Sequence, residues 1–195
     1  MESLYNLIDY LRSIKAPVTK LLREGESGKV LQYKLEGEGL IATKQLVEVY
    51  KIVDGTSMNE DHLGLQYFFP GFILVSLDQA LELYDEECKE YGSWPEGYLP
   101  VFWNGNRDYL LVNCRSEDNG VYYFSPDEFR FDGLGKIYDS LDLLFMTVLE
   151  CFKEGGYALG DHLEDINHQY EIVNVLSKRM NPDSVFWIIS EGNEG

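Results

Sequence analysis

The sequence predicts an α+β fold: an antiparallel sheet of about four to six strands with helices packed mainly on one face. Three observations carry this expectation. Across residues 94–124, three short apolar and aromatic runs, at about 98–103, 108–114 and 120–124, are separated by Asn104-Gly105 and by Asp118-Asn119-Gly120. Turn residues that tolerate positive φ between strand-length runs mark an antiparallel meander. Downstream, Leu141, Leu144, Phe145, Val148, Leu149 and Phe152 form an unbroken helical stripe, opened by Asp139-Ser140 and ended by Gly155-Gly156. Upstream, a short apolar run at 72–75 leads into Ser76-Leu77-Asp78-Gln79, a capping box that starts another helix.

The remaining elements follow in chain order. Leu4, Leu7, Ile8, Leu11 and Ile14 are helically spaced, with Ser3 as a cap and Pro17 as a stop. In the Gly- and Glu-rich stretch 23–39, Leu31, Tyr33 and Leu35 alternate with polar neighbours and suggest a short strand. Thr43 caps a helix bearing Leu46, Val47, Tyr50 and Val53, which Asp54-Gly55 ends. Residues 56–71 read as an irregular loop. The capping-box helix runs over 77–91, with Leu77, Leu81, Tyr84, Cys88 and Tyr91 on its apolar face. At the C-terminal end, Asp161 and Glu164 make a second capping box for a helix reaching about Met180. Asn181-Pro182 breaks it, and 185–189 reads as a final strand.

Composition narrows the function. The 195 residues are sufficient for one domain with an adequate core, at 45% hydrophobic residues with 14 Tyr and 10 Phe. Thirty-four acids against 16 bases give a net charge of -18. Phosphate binding needs Lys and Arg, so nucleic acid and anionic membranes are poor partners, and a basic protein is favoured. Cys88, Cys114 and Cys151 are odd in number and widely spaced, which fits a reducing, cytoplasmic setting. The N-terminus lacks a basic region followed by an apolar run, so no signal peptide is expected. No apolar run has the length of a membrane span.

The series of elements resembles the SUKH superfamily, which groups fungal cell-wall-synthesis regulators with bacterial toxin-immunity proteins. Tyr50-Lys51-Ile52-Val53-Asp54-Gly55 is similar to that family's helix ending in Asn/Asp-Gly, and 72–84 to its strand followed by a helix. Leu99-Pro100 with Asn104-Gly105, Asp108 and Leu110-Leu111-Val112 resembles its central hairpin, and Gly120-Val121-Tyr122 the next strand. Ser140-Leu141-Asp142-Leu143-Leu144 resembles its closing helix. The likeness covers about residues 40–156 of a single 1–195 domain. It leaves 157–195 as a helix-strand extension, and Gly39-Leu40-Ile41-Ala42-Thr43 stands where the family usually has Leu-Pro. The resemblance implies action by binding rather than by catalysis. The leading expectation is an immunity protein for a cognate toxin domain, often a nuclease. A cell-wall regulatory scaffold is the alternative, and an enzyme on a cationic or carbohydrate substrate the second.

No catalytic spacing stands out. His162, Asp165 and His168 fall three apart on the predicted helix, but such steps drift around its axis, so the reading is a solvated face without metal. Nothing singles out a carboxylate pair, a nucleophile elbow or a phosphate loop. No catalytic residue and no cofactor are therefore expected. The helix 77–91 carries Asp78, Glu82, Asp85, Glu86, Glu87 and Glu90 against Lys89 alone, forgoing the i,i+4 pairing that a mixed face would provide. Residues 117–142 repeat the imbalance. The expected partner surface is therefore Asp78, Glu82, Asp85, Glu86, Glu90, Glu117, Asp118, Asp127 and Glu128 on one face. Trp94, in a turn-rich segment before Pro95, is expected to be partly exposed as an aromatic anchor. Trp103 and Trp187 are expected to fill the core from strands.

Overall fold

The computed structural model describes residues 1–57, 62–116, 119–127, 134–161 and 166–190. In chain order they form α1 (Glu2–Ser13), a 3-10 turn (Pro17–Lys20), β1 (Leu22–Glu24), α2 (Gly28–Gly37), α3 (Lys44–Ile52) and β2 (Val53–Thr56). A second 3-10 turn (Leu63–Gln66) precedes β3 (Tyr67–Phe69), β4 (Phe72–Leu74) and α4 (Leu77–Leu83), which continues as a π-helix (Tyr84–Glu90). Then come β5 (Tyr98–Trp103), β6 (Tyr109–Asn113), β7 (Val121–Phe124), β8 (Leu134–Tyr138) and α5 (Leu141–Lys153). The chain closes with β9 (Tyr157–Leu159), β10 (Ile166–His168), α6 (Tyr170–Met180) and α7 (Val185–Ser190).

The α+β expectation holds. Strands β3 to β8 form one six-stranded sheet in sequence order, every neighbour antiparallel. Two small two-stranded pairs, β1–β2 and β9–β10, stand apart. The meander falls where Asn-Gly chemistry puts it.

Helix α5 organises the core. Ser140 caps it by accepting from the Leu143 amide at 3.0 Å, and Gly155 at φ 77 follows its C-terminus. Leu141, Leu144, Phe145, Val148 and Leu149 are all buried, as the stripe predicts. Phe145 meets Phe102 of β5 at 6.2 Å and Phe68 of β3 at 6.3 Å. Helices α1 and α6 pack along the other sides of α5, and α7 packs on β8. The opposite face of the sheet is also covered. Trp103, Tyr109 and Phe124 are cross-strand partners on it, and Trp94 seats against Tyr109 at 5.0 Å and Phe124 at 5.1 Å.

Several local readings are corrected. Residues 28–37 are helical rather than a strand: Leu31 and Leu35, four apart, are buried while Tyr33 is exposed, and α2 packs on α3. Ser3 lies inside α1 instead of capping it, and its hydroxyl donates to Asp142 at 2.5 Å. Residues 185–189 are helical rather than extended. Ser184 Oγ and Trp187 Nε1 donate to the Lys136 and Ile137 carbonyls of β8 at 2.9 and 2.8 Å, and this anchoring overrides the β-propensity of Val, Phe and Trp. Tyr91 is exposed rather than in the apolar face of its helix, because the π segment shifts the register. Residues 67–69, read as loop, form β3. The second capping box lies largely outside the described residues, and 166–168 are extended.

Gly55 takes the predicted positive φ, 72°, but within β2 instead of after a helix. A Cβ there would lie 2.3 Å from the Ser76 amide nitrogen. Gly55→Ala should therefore destabilise more than Gly39→Ala. Gly39 has the same φ and open space around it, so its Ala variant bears only the left-handed strain of about 1–2 kcal/mol. Leu144→Ala should cost about 2–5 kcal/mol by chemical denaturation, since the residue is fully buried. A variant as stable as the parent would mean that α5 packs loosely.

Candidate functional site: an acidic helix and an aromatic cavity

The acidic row sits on α4 and its π continuation. The capping box is present as the sequence predicts: Gln79 N donates to Ser76 Oγ at 3.3 Å, and Ser76 N donates to Gln79 Oε1 at 3.2 Å. Asp54 Oδ1 accepts from Leu77 N at 2.9 Å and tightens the same turn. The buried side of the helix is held by Tyr84, whose hydroxyl accepts from Gly97 N at 2.8 Å, and by Cys88, whose Sγ donates to the Trp94 carbonyl at 3.4 Å. Turned the other way, Asp78, Glu82, Asp85, Glu86 and Glu90 are all exposed.

These five carboxylates are not equivalent. Asp78 pairs with Lys34 of α2. Asp85 pairs with Lys89 at 2.7 Å, and Lys89 also reaches Glu38 at 2.5 Å. Those two carboxylates hold the Lys89 ammonium above its ordinary range. The π spacing brings Lys89 over the Tyr84 ring, 5.1 Å from its centre. Glu82, Glu86 and Glu90 have no ion pair among the described residues. Glu87, on the flank, accepts from Ser93 Oγ at 2.8 Å and lies 3.9 Å from Arg107.

The predicted surface is brought together only in part. Asp127 follows β7 at the sheet end that also carries the Asn104–Asp108 turn. Among the described residues, the helix carries most of the expected acidic surface. Glu117, Asp118 and Glu128 lie outside the described residues. Trp94 is corrected outright. It is 4% exposed, packed on Tyr109 and Phe124, with its Nε1 donating to the Tyr98 carbonyl at 2.8 Å. Pro95 follows it into an exposed turn, but the indole itself fills the sheet face. Trp103 is half-buried on β5, and Trp187 is buried on a helix.

Sequence reasoning missed a cavity of about 400 Å³. The sheet curls so that Phe69, Pro70 and Phe72 of the β3–β4 hairpin and Tyr123, Ile137 and Tyr138 of β7 and β8 line the same space. Seven further residues close it: Tyr157, His168, Tyr170, Val173, Asn174, Phe186 and Trp187. In one dimension Phe69 reads as loop, Tyr123 and Phe186 as strand and Tyr170 as helix, and only the topology gathers them. His168 lies on β10, not on a helix, which removes the premise of a helical His162-Asp165-His168 face. His162 and Asp165 themselves lie outside the described residues. Among the described residues, no three His, Cys, Asp or Glu side chains gather as metal ligands, and no helix is long and apolar enough to cross a membrane.

The three cysteines are free and buried. Burial pushes the Cys88 thiol up to about 11 and those of Cys114 and Cys151 to about 12. At pH 8 little thiolate is present, so a thiol-reactive chromophore should label the folded protein slowly and three thiols rapidly in denaturant. Fast labelling of the folded chain would place a cysteine at the surface.

With this geometry in place, the chain is assigned to a family: it belongs to the SMI1 / KNR4 family (SUKH-1), which matches residues 43–146. The match runs from the Thr43 cap of α3 through the whole six-stranded sheet into α5. No curated protein matches the chain.

Proposed function

We propose that this is a non-catalytic binding protein, an immunity protein that binds and neutralises a cognate toxin domain with a basic surface. Family membership supports a binding role, and the exposed acidic row on α4 and its π continuation is the observation that carries the reading. Glu82, Glu86 and Glu90 keep their charge toward solvent without intramolecular cations among the described residues. Such a row repels itself in the free protein, and a basic partner relieves that repulsion while steering encounter. Asp78 and Asp85 add charge at its margin, shared with Lys34 and Lys89. Asp127 belongs to the same proposal as a contact from the end of β7, and Glu117, Asp118 and Glu128 are kept in it as candidate contacts on their charge alone.

The direct test is co-expression with the product of the neighbouring gene: rescue of a toxic phenotype supports immunity, and no rescue removes it. The surface is tested separately, with purified partner. Glu82→Lys/Glu86→Lys/Glu90→Lys should lower the association rate about tenfold at low ionic strength, with the deficit shrinking as salt rises. An unchanged association rate would take this helix out of the interface while leaving the immunity reading standing.

A further inference from the structure

The negative charge of this protein is not spread along the whole chain. Residues 1–53 carry eight Lys and Arg against seven Asp and Glu, whereas 54–195 carry eight against 27. Within the first part, residues 10–23 hold Arg12, Lys15, Lys20 and Arg23 and no acid. That stretch runs from the end of α1 through the 3-10 turn into β1, all ahead of the family-matched region. It helps to line a cavity of about 310 Å³, at the small end of the range for small-molecule sites. Seven of the nine lining residues precede residue 43, and Ile52 and Val53 complete the wall.

The wall has two parts. Arg12 and Arg23 supply guanidinium groups, and Ile8, Leu22, Ile52 and Val53 supply aliphatic surface. Each guanidinium is oriented by one carboxylate: Arg12 Nη1 lies 3.1 Å from Asp9, and Arg23 Nη2 lies 3.2 Å from Asp54. Asp54 is itself fixed, since its other oxygen accepts from Leu77 N at 2.9 Å. The Asp9–Arg12 pair is exposed on both sides and holds Arg12 only weakly. These contacts use one nitrogen of each fork, and neither arginine has a further hydrogen bond or ion pair among the described residues. Two such forks beside an aliphatic wall match an oxyanion that carries an apolar group. Glu24 lines the same cavity, and with the net charge of -18 it disfavours a dianion, which leaves a single carboxylate.

We propose that this cavity binds a small aliphatic carboxylic acid as its anion, with the oxygens taken by Arg12 and Arg23 and the chain laid against Ile8, Leu22, Ile52 and Val53. The site is separate from the acidic helix and does not rest on the immunity reading.

The experiment titrates the full-length protein with hexanoate and follows backbone amide shifts by NMR. Hexanamide, neutral and of nearly the same shape, and acetate, a carboxylate without the chain, are titrated in parallel. Hexanoate should bind at least about fivefold more tightly than either, with the shifts centred on α1, β1 and the end of α3. Arg12→Gln should weaken hexanoate severalfold with unchanged thermal stability. Arg23→Lys, which keeps the charge beside Asp54 but removes the fork, should weaken it as well. Equal affinity for hexanoate and hexanamide would overturn the anionic reading, and equal affinity for hexanoate and acetate the aliphatic one. Inorganic phosphate binding more tightly than hexanoate would overturn the choice of a carboxylate. An acetylated tripeptide ending in leucine, if it bound more tightly still, would overturn the free acid in favour of a partner's chain end. Absence of saturable shifts with hexanoate at tens of millimolar would overturn the site.

Discussion

Phe145 pressed against Phe102 and Phe68 is the contact on which the rest of the molecule depends. All three rings are fully buried and meet edge to face or tilted at 6.2–6.3 Å, so α5, the sheet centre and the β3 edge are fixed together. Once α5 is seated, its two remaining flanks are apolar and need cover. Helix α1 supplies Leu4, Leu7 and Leu11 on one side, and α6 supplies Val173 and Leu176 on the other. Asn181 then locks the end of α6. Its amide donates to Thr147 Oγ1 of α5 at 3.0 Å, and its carbonyl oxygen accepts from Asp139 N at 3.1 Å. The Asn181 amide and the Thr147 hydroxyl are thereby bonded to each other, whereas Ser177 Oγ on α6 is buried with no hydrogen-bond partner among the described residues.

Wherever one local signal and one tertiary demand agreed, the fold was legible in the residues. Ser140, Ser76 and Thr43 cap the helices their spacing announces, and Asn104-Gly105 closes its hairpin. Legibility failed where the two conflicted. Leu31-Gln32-Tyr33-Lys34-Leu35 alternates like a strand, but only its two leucines are buried, and i,i+4 is also a helical interval. Val185-Phe186-Trp187 has strand propensity, yet hydrogen bonds to β8 hold it as a helix. The outer strand β3 is only three residues long and runs straight into Pro70-Gly71, so nothing local distinguished it from loop.

The candidate site divides along the same line. Composition exposed the acidic helix because charge imbalance is additive along a chain and needs no topology to be seen. It did not reveal that two of the acids are shared with Lys34 and Lys89, since those partners come from α2 and from one π-helical turn away. Trp94 misled for a related reason. A tryptophan beside a Pro-Gly-rich turn looks exposed, whereas the turn serves to fold the indole back over Tyr109 and Phe124. Turn composition describes the backbone, not the direction of a side chain.

The C-terminal segment has a physical reason to lie where it does. The sheet's concave side presents Phe69, Tyr123 and Tyr138, and α5 alone does not span it. Leaving that surface to water would cost apolar area that β9, β10, α6 and α7 instead remove. Their fit is incomplete: the helices seat on α5 and β8, and a space of about 400 Å³ persists between them and the curled strands.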